Sequence, residues 1–410
     1  MAIIYDFDAA NYANGTNLTA ATPTVGTVLV KHANYANDLT VQSGEVECTG
    51  GTAFYVTQES VADGNVEVDA VVRVYTDNAS YLAMFPQIQQ NADSWSGSLA
   101  PFSNDASIIL AASTILTQET TWPAESALKM RCETYGGITR LFLNNCEVVR
   151  GYEASPITNK RAGFGYQGGT SADTGFRFKT VRVATDFDTN QVVCIGDSLT
   201  RGIDGSSAFL PFRDNYPYLL AQELDGIHVS NMGRGGDTVA NMVTRSNATS
   251  SATDTVRWGY RQSYRPSAEK NIAVMWAGVN DLIASRTPAQ ILADVEAHAA
   301  TLQGEGWQFI AVGHLHSGSN LVPAGYNDDI DTLIGLLNAS TVFDGVVDLS
   351  TDARLADPED TTYFDADKLH LKAAGNAVVA ELVAAGVNAL LSSGSPSYIG
   401  SGYGGHYLGG

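Results

Sequence analysis

Ser198 lies in the heptapeptide Ile195-Gly-Asp-Ser-Leu-Thr-Arg201, directly behind the apolar run Val192-Val193-Cys194, which reads as a buried strand ending at an exposed serine. Downstream, in order, come Asn231-Met-Gly-Arg-Gly-Gly-Asp-Thr238, Gly278-Val-Asn-Asp281 and Asp367-Lys-Leu-His370. Acyl transfer needs an oxygen nucleophile, a base to take its proton, a group that orients the base, and donors aimed at the developing oxyanion. Ser198 is the candidate nucleophile, with a helix start behind it; on its own, such a serine would be read as a helix cap. His370 is the candidate base. Asp367, three residues earlier in the loop before the last helix, can reach Nδ1 and leave Nε2 for the serine. Without that company, the histidine would be read as a cap or a buried hydrogen-bond partner. Asn280, after the strand 272–276 and the turn at Gly278, aims a side-chain amide across the strand ends. Asp197 and Asp281 are read as acceptors that fix loops.

His314 and His316, in Gly313-His-Leu-His-Ser317 at the end of a predicted strand, are the rival histidines. Alternation places both on one face, yet two imidazoles without a carboxylate or thiol make a thin metal site. They are read as lining a substrate cleft or as having no role in the site, and no metal or organic cofactor is expected.

The four blocks together resemble the SGNH, or GDSL, family of ester hydrolases over residues 190–393. The resemblance implies an α/β three-layer domain with a parallel sheet and a triad of Ser198, Asp367 and His370. It also implies an oxyanion hole built from the backbone N–H of Ser198, that of Gly236 and the amide of Asn280. Gly236 follows from the pattern Asn-x-Gly-x-x-Gly-Asp-Thr, with Gly233 and Gly235 close in register. On this reading Ser198 attacks an ester carbonyl and water releases the acyl group in a second cycle. A neutral His370 is needed, so activity is expected to rise with pH through ~6 to 7.

The elements that would hold these groups read in two grammars. Residues 1–186 show short β-rich runs punctuated by Gly, Asn, Asp and Ser, such as 26–32, 66–75, 106–112 and 176–183. A hairpin is expected from 127–135 and 139–143 about Gly136-Gly137, with a second tight turn at Asn144-Asn145 before 146–149. Together these predict an all-β antiparallel sandwich that loosely resembles a laminin-G or concanavalin-like jelly roll, taken as a carbohydrate-binding domain. Trp95, Phe102 and Trp122 are its candidate sugar-stacking residues, with ordinary packing as the alternative. Beyond 190, strands at 192–195, 227–230, 271–276, 308–312 and 345–349 alternate with helices, the βαβ rhythm of a parallel sheet. A helix over 288–303 with Thr287 as N-cap and a final helix near 371–391 are expected. The short joint between the two parts predicts that they pack together. The tail 394–410 is rich in Gly, Ser and Tyr and is expected not to build a core.

Length and charge bound the rest. At 410 residues the chain holds two sizeable domains. With 23 basic against 44 acidic residues and a formal net charge of −21, a polyanion partner such as nucleic acid is disfavoured. An acylated carbohydrate or small ester fits better. Residues 1–7 lack a secretory signal, and no stretch of ~20 apolar residues is expected, so membrane insertion is not. That start suggests either a removed signal or export by another route, such as within a virus particle. The expected activity is removal of short acyl groups, most of all O-acetyl groups on carbohydrate. The alternatives are a glycan-binding adhesin of a virion or tail, and a lipolytic enzyme or thioesterase of the same family. Of four cysteines, Cys132 and Cys146 are the pair placed to face one another on neighbouring strands, with two buried free thiols as the alternative.

Overall fold

The computed structural model describes residues 3–393 except 34–36, 49–50, 59–63, 73–80, 89–94, 102–104, 111–112, 120–126, 136–137, 153–160, 168–175, 185–189, 225 and 248–258. The Gly136-Gly137 turn, the joint at 185–189, Phe102, Trp122 and the tail 394–410 therefore lie outside the described residues.

The C-terminal part is built on five parallel strands, in spatial order Gly345–Asp348, Gln308–Gly313, Asn271–Trp276, Gln191–Gly196, His228–Gly233. Their near-continuous apolar runs follow from burial on both faces. Along Gln191–Gly196, Val192 and Cys194 join one core with Tyr216, Leu220 and Val383, while Val193 and Ile195 join the other with Val239, Ile291 and Ile330. Helices Tyr216–Glu223 and Ala373–Ser392 cover the first face; Val239–Thr244, Pro288–Gly304 and Tyr326–Ala339 cover the second. This is the three-layer α/β domain expected. Thr287 caps Pro288–Gly304, as the sequence predicted, and its own N–H donates in return to Gln290 Oε1 at 3.0 Å.

Helix Ala373–Ser392 corrects one expectation, because by length and composition it is apolar enough to cross a membrane. It is instead a core helix: Val378, Val379, Val383 and Val387 pack inward on the sheet and on Tyr216–Glu223.

The N-terminal part is an antiparallel sandwich. One layer runs Ser113–Glu119, Asp105–Leu110, Trp95–Pro101, Tyr81–Ile88, Arg161–Gln167, Ala53–Val56, Val30–Lys31. The run expected at 26–32 is a strand only at Val30–Lys31. Strands Tyr81–Ile88, Trp95–Pro101, Asp105–Leu110 and Ser113–Glu119 pair in sequential order, as do Ala127–Tyr135, Ile138–Leu143 and Cys146–Tyr152, and the narrower jelly-roll wrapping is not established by this connectivity.

The two parts do more than pack together. Strand Cys146–Tyr152 pairs in parallel with His228–Gly233 through Cys146 with Val229 and Glu147 with Ser230. The second sandwich layer and the parallel sheet thus form one mixed sheet of 13 strands among the described residues. Buried charge crosses the seam. Glu133 faces Arg131, Arg140 and Arg265, and Glu147 faces Arg150 and Ser230. Burial alone would push both carboxyls up, but the guanidinium groups, Arg140 on Glu133 and Arg150 on Glu147, hold them below the usual range. Removing one partner of a buried ion cluster leaves uncompensated charge, so Glu133→Gln is expected to cost about 3–5 kcal/mol. Urea unfolding of the variant reads this directly, and a loss under 1 kcal/mol, on the order of a surface pair, contradicts it.

All four cysteines lie among the described residues, are buried, and form no disulfide. Cys132 and Cys146 do not sit on neighbouring strands, because Ile138–Leu143 runs between them, with Cys132 opposite Leu141 and Cys146 opposite Leu143.

Candidate active site

The chain runs from Gln191–Gly196 to His228–Gly233 on one side and then to Asn271–Trp276 on the other, so the strand order reverses beside the first strand. Groups placed beyond the carboxyl ends of strands at such a reversal share one crevice. Ser198 follows the first strand and Asn280 the third.

Ser198 is the first residue of the short helix Ser198–Arg201; the cap is Asp197, whose carboxylate accepts from the N–H of Leu199 at 3.0 Å. The serine is therefore not spent on capping, and it stays half-buried. The turn needs a glycine in front: a Cβ on Gly196 would meet Thr200 Oγ1 at 2.0 Å and the carbonyl of Trp276 at 2.8 Å. Ser198 Oγ and His370 Nε2 are 2.8 Å apart, and His370 Nδ1 is 2.6 Å from Asp367 Oδ2. The other oxygen of Asp367 accepts from the backbone N–H groups of Leu369 and His370 at 3.1 and 3.0 Å. Burial would raise the Asp367 carboxyl, but the bonds from His370 and these amides outweigh it and hold the group below its usual range. The spacing of three works because Lys368, in the left-handed region at φ 59°, folds the segment into a turn closed by Asp365 N–H to His370 O at 2.8 Å.

On the opposite side, Gly236 adopts φ 80°, a left-handed value that glycine tolerates, with open space where a Cβ would stand. Asn280 Nδ2 donates to the carbonyl of Asp237 at 3.0 Å and lies 3.3 Å from Asp197 Oδ2. The second block, the third block and the residue before the serine are thus tied in one knot. Cys194, beneath the turn, is no rival nucleophile: burial pushes its thiol up to about 12.

Residues 194–378 match the family described as GDSL-like lipase/acylhydrolase. That segment is a GDSL-type acylhydrolase domain, which makes the protein a carboxylic ester hydrolase. No curated protein matches the chain. Among solved structures, the chain is similar to a lipolytic protein of the G-D-S-L family from Veillonella parvula DSM 2008, at 19% identity over 48% of this chain and 96% of that one, TM-score 0.37. A lipase/acylhydrolase from Enterococcus faecalis gives 20% identity over 49% and 97%, TM-score 0.37. A carbohydrate acetylesterase family member from Sinorhizobium meliloti gives 20% over 50% and 99%, TM-score 0.38.

Other expected residues fall elsewhere on the acylhydrolase. His314 is fully buried, its Nδ1 accepting from the N–H of Leu315 at 3.1 Å, and its ring packs 5.5 Å from Trp276. Burial pushes it down to about 4. A buried neutral imidazole does not line an open cleft, which corrects that expectation. His316 is partly exposed and pairs with Asp331 at 2.7 Å on helix Tyr326–Ala339. The two lie past the end of their strand, so strand alternation does not govern them. Trp95 starts strand Trp95–Pro101 of the sandwich. Sequence reasoning missed Asp237 and Arg245, which form a buried pair behind the second block; Arg245 belongs to no motif and gives no local signal.

Two outcomes follow from this arrangement. Losing one oxyanion donor costs about 10²- to 10³-fold in turnover, so Asn280→Ala is expected to lower kcat by that factor in ester hydrolysis and leave KM near its original value; an unchanged kcat contradicts the assignment. The second concerns Asp197, which burial, joined by repulsion from Asp237 and Asp281, pushes up to about 7 against the amide of Leu199. Its unfolded value is ~3.9, so the folded chain holds a proton that the unfolded chain sheds between roughly 4 and 7. This group's stabilising contribution is full below about 4 and is lost as pH rises through about 7. Asp197→Asn is expected to flatten that part of the unfolding-midpoint curve against pH, and parallel curves for variant and wild type would rule the effect out.

Proposed function

We propose that the protein is a serine esterase that removes short acyl groups, above all acetyl, from carbohydrate. The observation that carries the catalytic part is the line Ser198 Oγ, His370 Nε2, His370 Nδ1, Asp367 Oδ2 at 2.8 and 2.6 Å. Ser198 attacks the ester carbonyl as its proton passes to His370, which then protonates the leaving alcohol. Water, deprotonated by His370, cleaves the acyl-enzyme and frees Ser198. The N–H groups of Ser198 and Gly236 and the amide of Asn280 hold the oxyanion, which takes the place of Asn280's longer contact to Asp197.

The substrate class rests on two supports. The Asp367 and His370 side chains keep 13% exposure each and Ser198 is half-buried, which leaves the reacting atoms within reach of an acyl group carried on a larger alcohol. The net charge of −21 disfavours anionic lipid surfaces. The test is a chain-length series of p-nitrophenyl esters beside an O-acetylated polysaccharide. Preference for acetate with acetate released from the polymer supports the reading; preference for octanoate moves the substrate to lipids or thioesters.

A second role, holding the glycan, is supported by a polar cleft of about 380 Å³ on the sandwich, lined by Asp6, Asp8, Asn11, Thr24, Thr180 and Arg182 among others. Glycan binding that survives Ser198→Ala and is lost in Asp6→Ala/Arg182→Ala supports it.

A further inference from the structure

The residue missed by the motifs occupies a position of consequence. Arg245 follows helix Val239–Thr244 and is 1% exposed. Its Nε donates to Asp237 Oδ2, and its Nη2 donates to the carbonyl of Gly196 at 3.3 Å. Asp237 is the neighbour of Gly236, and its carbonyl receives Asn280 Nδ2 at 3.0 Å. Gly196 is the last residue of the strand that delivers Asp197 and Ser198. One guanidinium thus ties the loop bearing Gly236 and the seat of Asn280 to the turn bearing Ser198.

Arg245 is itself anchored from outside the acylhydrolase segment. Its carbonyl accepts the N–H of Gly259 at 2.8 Å. The Gly259 carbonyl in turn accepts Nη1 of Arg150 at 3.1 Å, and Arg150 Nη2 donates to Ser263 Oγ at 2.7 Å. Arg150 lies on strand Cys146–Tyr152 of the sandwich, held by the buried carboxylate of Glu147.

We propose that Arg245 is a positioning residue that fixes the oxyanion side of the site, and that the N-terminal sheet holds it in place through Arg150. The sandwich then acts on catalysis as well as on any glycan. Guanidinium suits the task because its planar fork serves two acceptors at fixed angles, which an ammonium cannot copy. Oxyanion stabilisation depends on donors already in place, and displacement of about 1 Å by a distant change costs about 10²-fold.

The inference rests on the esterase reading, and the test separates the two. Wild type, Ser198→Ala, Arg245→Met, Arg245→Lys and Glu147→Gln/Arg150→Gln are assayed on p-nitrophenyl acetate, with inhibition by phenyl trifluoromethyl ketone. In that inhibitor Ser198 Oγ bonds to the ketone carbon, its proton passes to His370 and the ketone oxygen becomes the oxyanion. Arg245→Met is expected to lose about 10²-fold in kcat with KM within about 2-fold, and its Ki should weaken by the same factor as kcat/KM. Arg245→Lys should recover part of both. The double variant, which removes the buried pair together, should lose about 3- to 30-fold in the same two readouts. The thermal midpoint of each variant is recorded, and Arg245→Lys and the double variant carry the test if Arg245→Met does not fold. Folded Arg245 variants with wild-type kcat and Ki overturn the proposal, as does a kcat loss without a matching loss in Ki. An unchanged double variant overturns the share given to the sandwich. If Ser198→Ala turns over like wild type, the esterase reading itself fails.

Discussion

Ser198→Ala lowers kcat by about 10⁶-fold, and His370→Ala and the double variant lower it no further. The reason is geometric: with 2.8 Å between Oγ and Nε2, nucleophile and base act as one unit, so removing either removes the covalent route. What survives is the stabilisation proposed for Gly236, Asn280 and the backbone of Ser198, worth about 10³-fold over water in comparable sites. KM should change little, because neither atom binds ground-state substrate more tightly than it binds water. Steady-state kinetics of the three variants on p-nitrophenyl acetate checks this. Losses that multiply in the double variant would show two independent contributions in place of one unit.

Asp367→Asn lowers kcat by about 10⁴-fold and leaves the fold intact. Asn keeps a carbonyl oxygen that can accept from the backbone N–H groups of Leu369 and His370, the two bonds that shape the turn. The cost falls on the imidazole. When the amide NH₂ faces Nδ1, that nitrogen becomes the acceptor and the ring proton moves to Nε2, where it blocks removal of the serine proton. Because the Asp367 carboxyl lies below its usual range, its contribution to stability is present above ~4 and is lost as pH falls through its folded value. The variant should therefore show a weaker acid-side decline in its unfolding midpoint. Kinetics and acid unfolding of one preparation read both effects; a kcat within 10-fold of wild type contradicts the role given to the carboxylate.

The C-terminal half was readable because its signals are local. Val192 to Ile195 ends at Gly196-Asp197-Ser198, and Asp367 and His370 lie within one turn, so contiguous residues state both the element and the chemistry. The mixed sheet that joins the two parts was not readable. Its seam is a parallel pairing of two residues, Cys146 and Glu147 with Val229 and Ser230, made by backbone groups that any residue offers. The ion cluster was hidden for a related reason: Glu133, Arg140 and Arg150 alternate with apolar residues as a solvated strand face would, and only the layers on both sides bury them. His314 and His316 misled because the strand stops at Gly313, which ends the alternation that placed them on one face. Arg245 carries no motif and acquires its role from Asp237 and Gly196, eight and 49 residues away in sequence.

The central claim is that one serine carries the chemistry. The most direct measurement is to titrate the protein with an aryl fluorophosphonate, follow residual ester turnover, and locate the adduct by peptide mass spectrometry. One adduct per chain is expected, on Ser198, with turnover falling in proportion to labelling and no labelling of the His370→Ala variant. Turnover that persists in fully labelled protein, or an adduct on any other residue that tracks the loss, contradicts it.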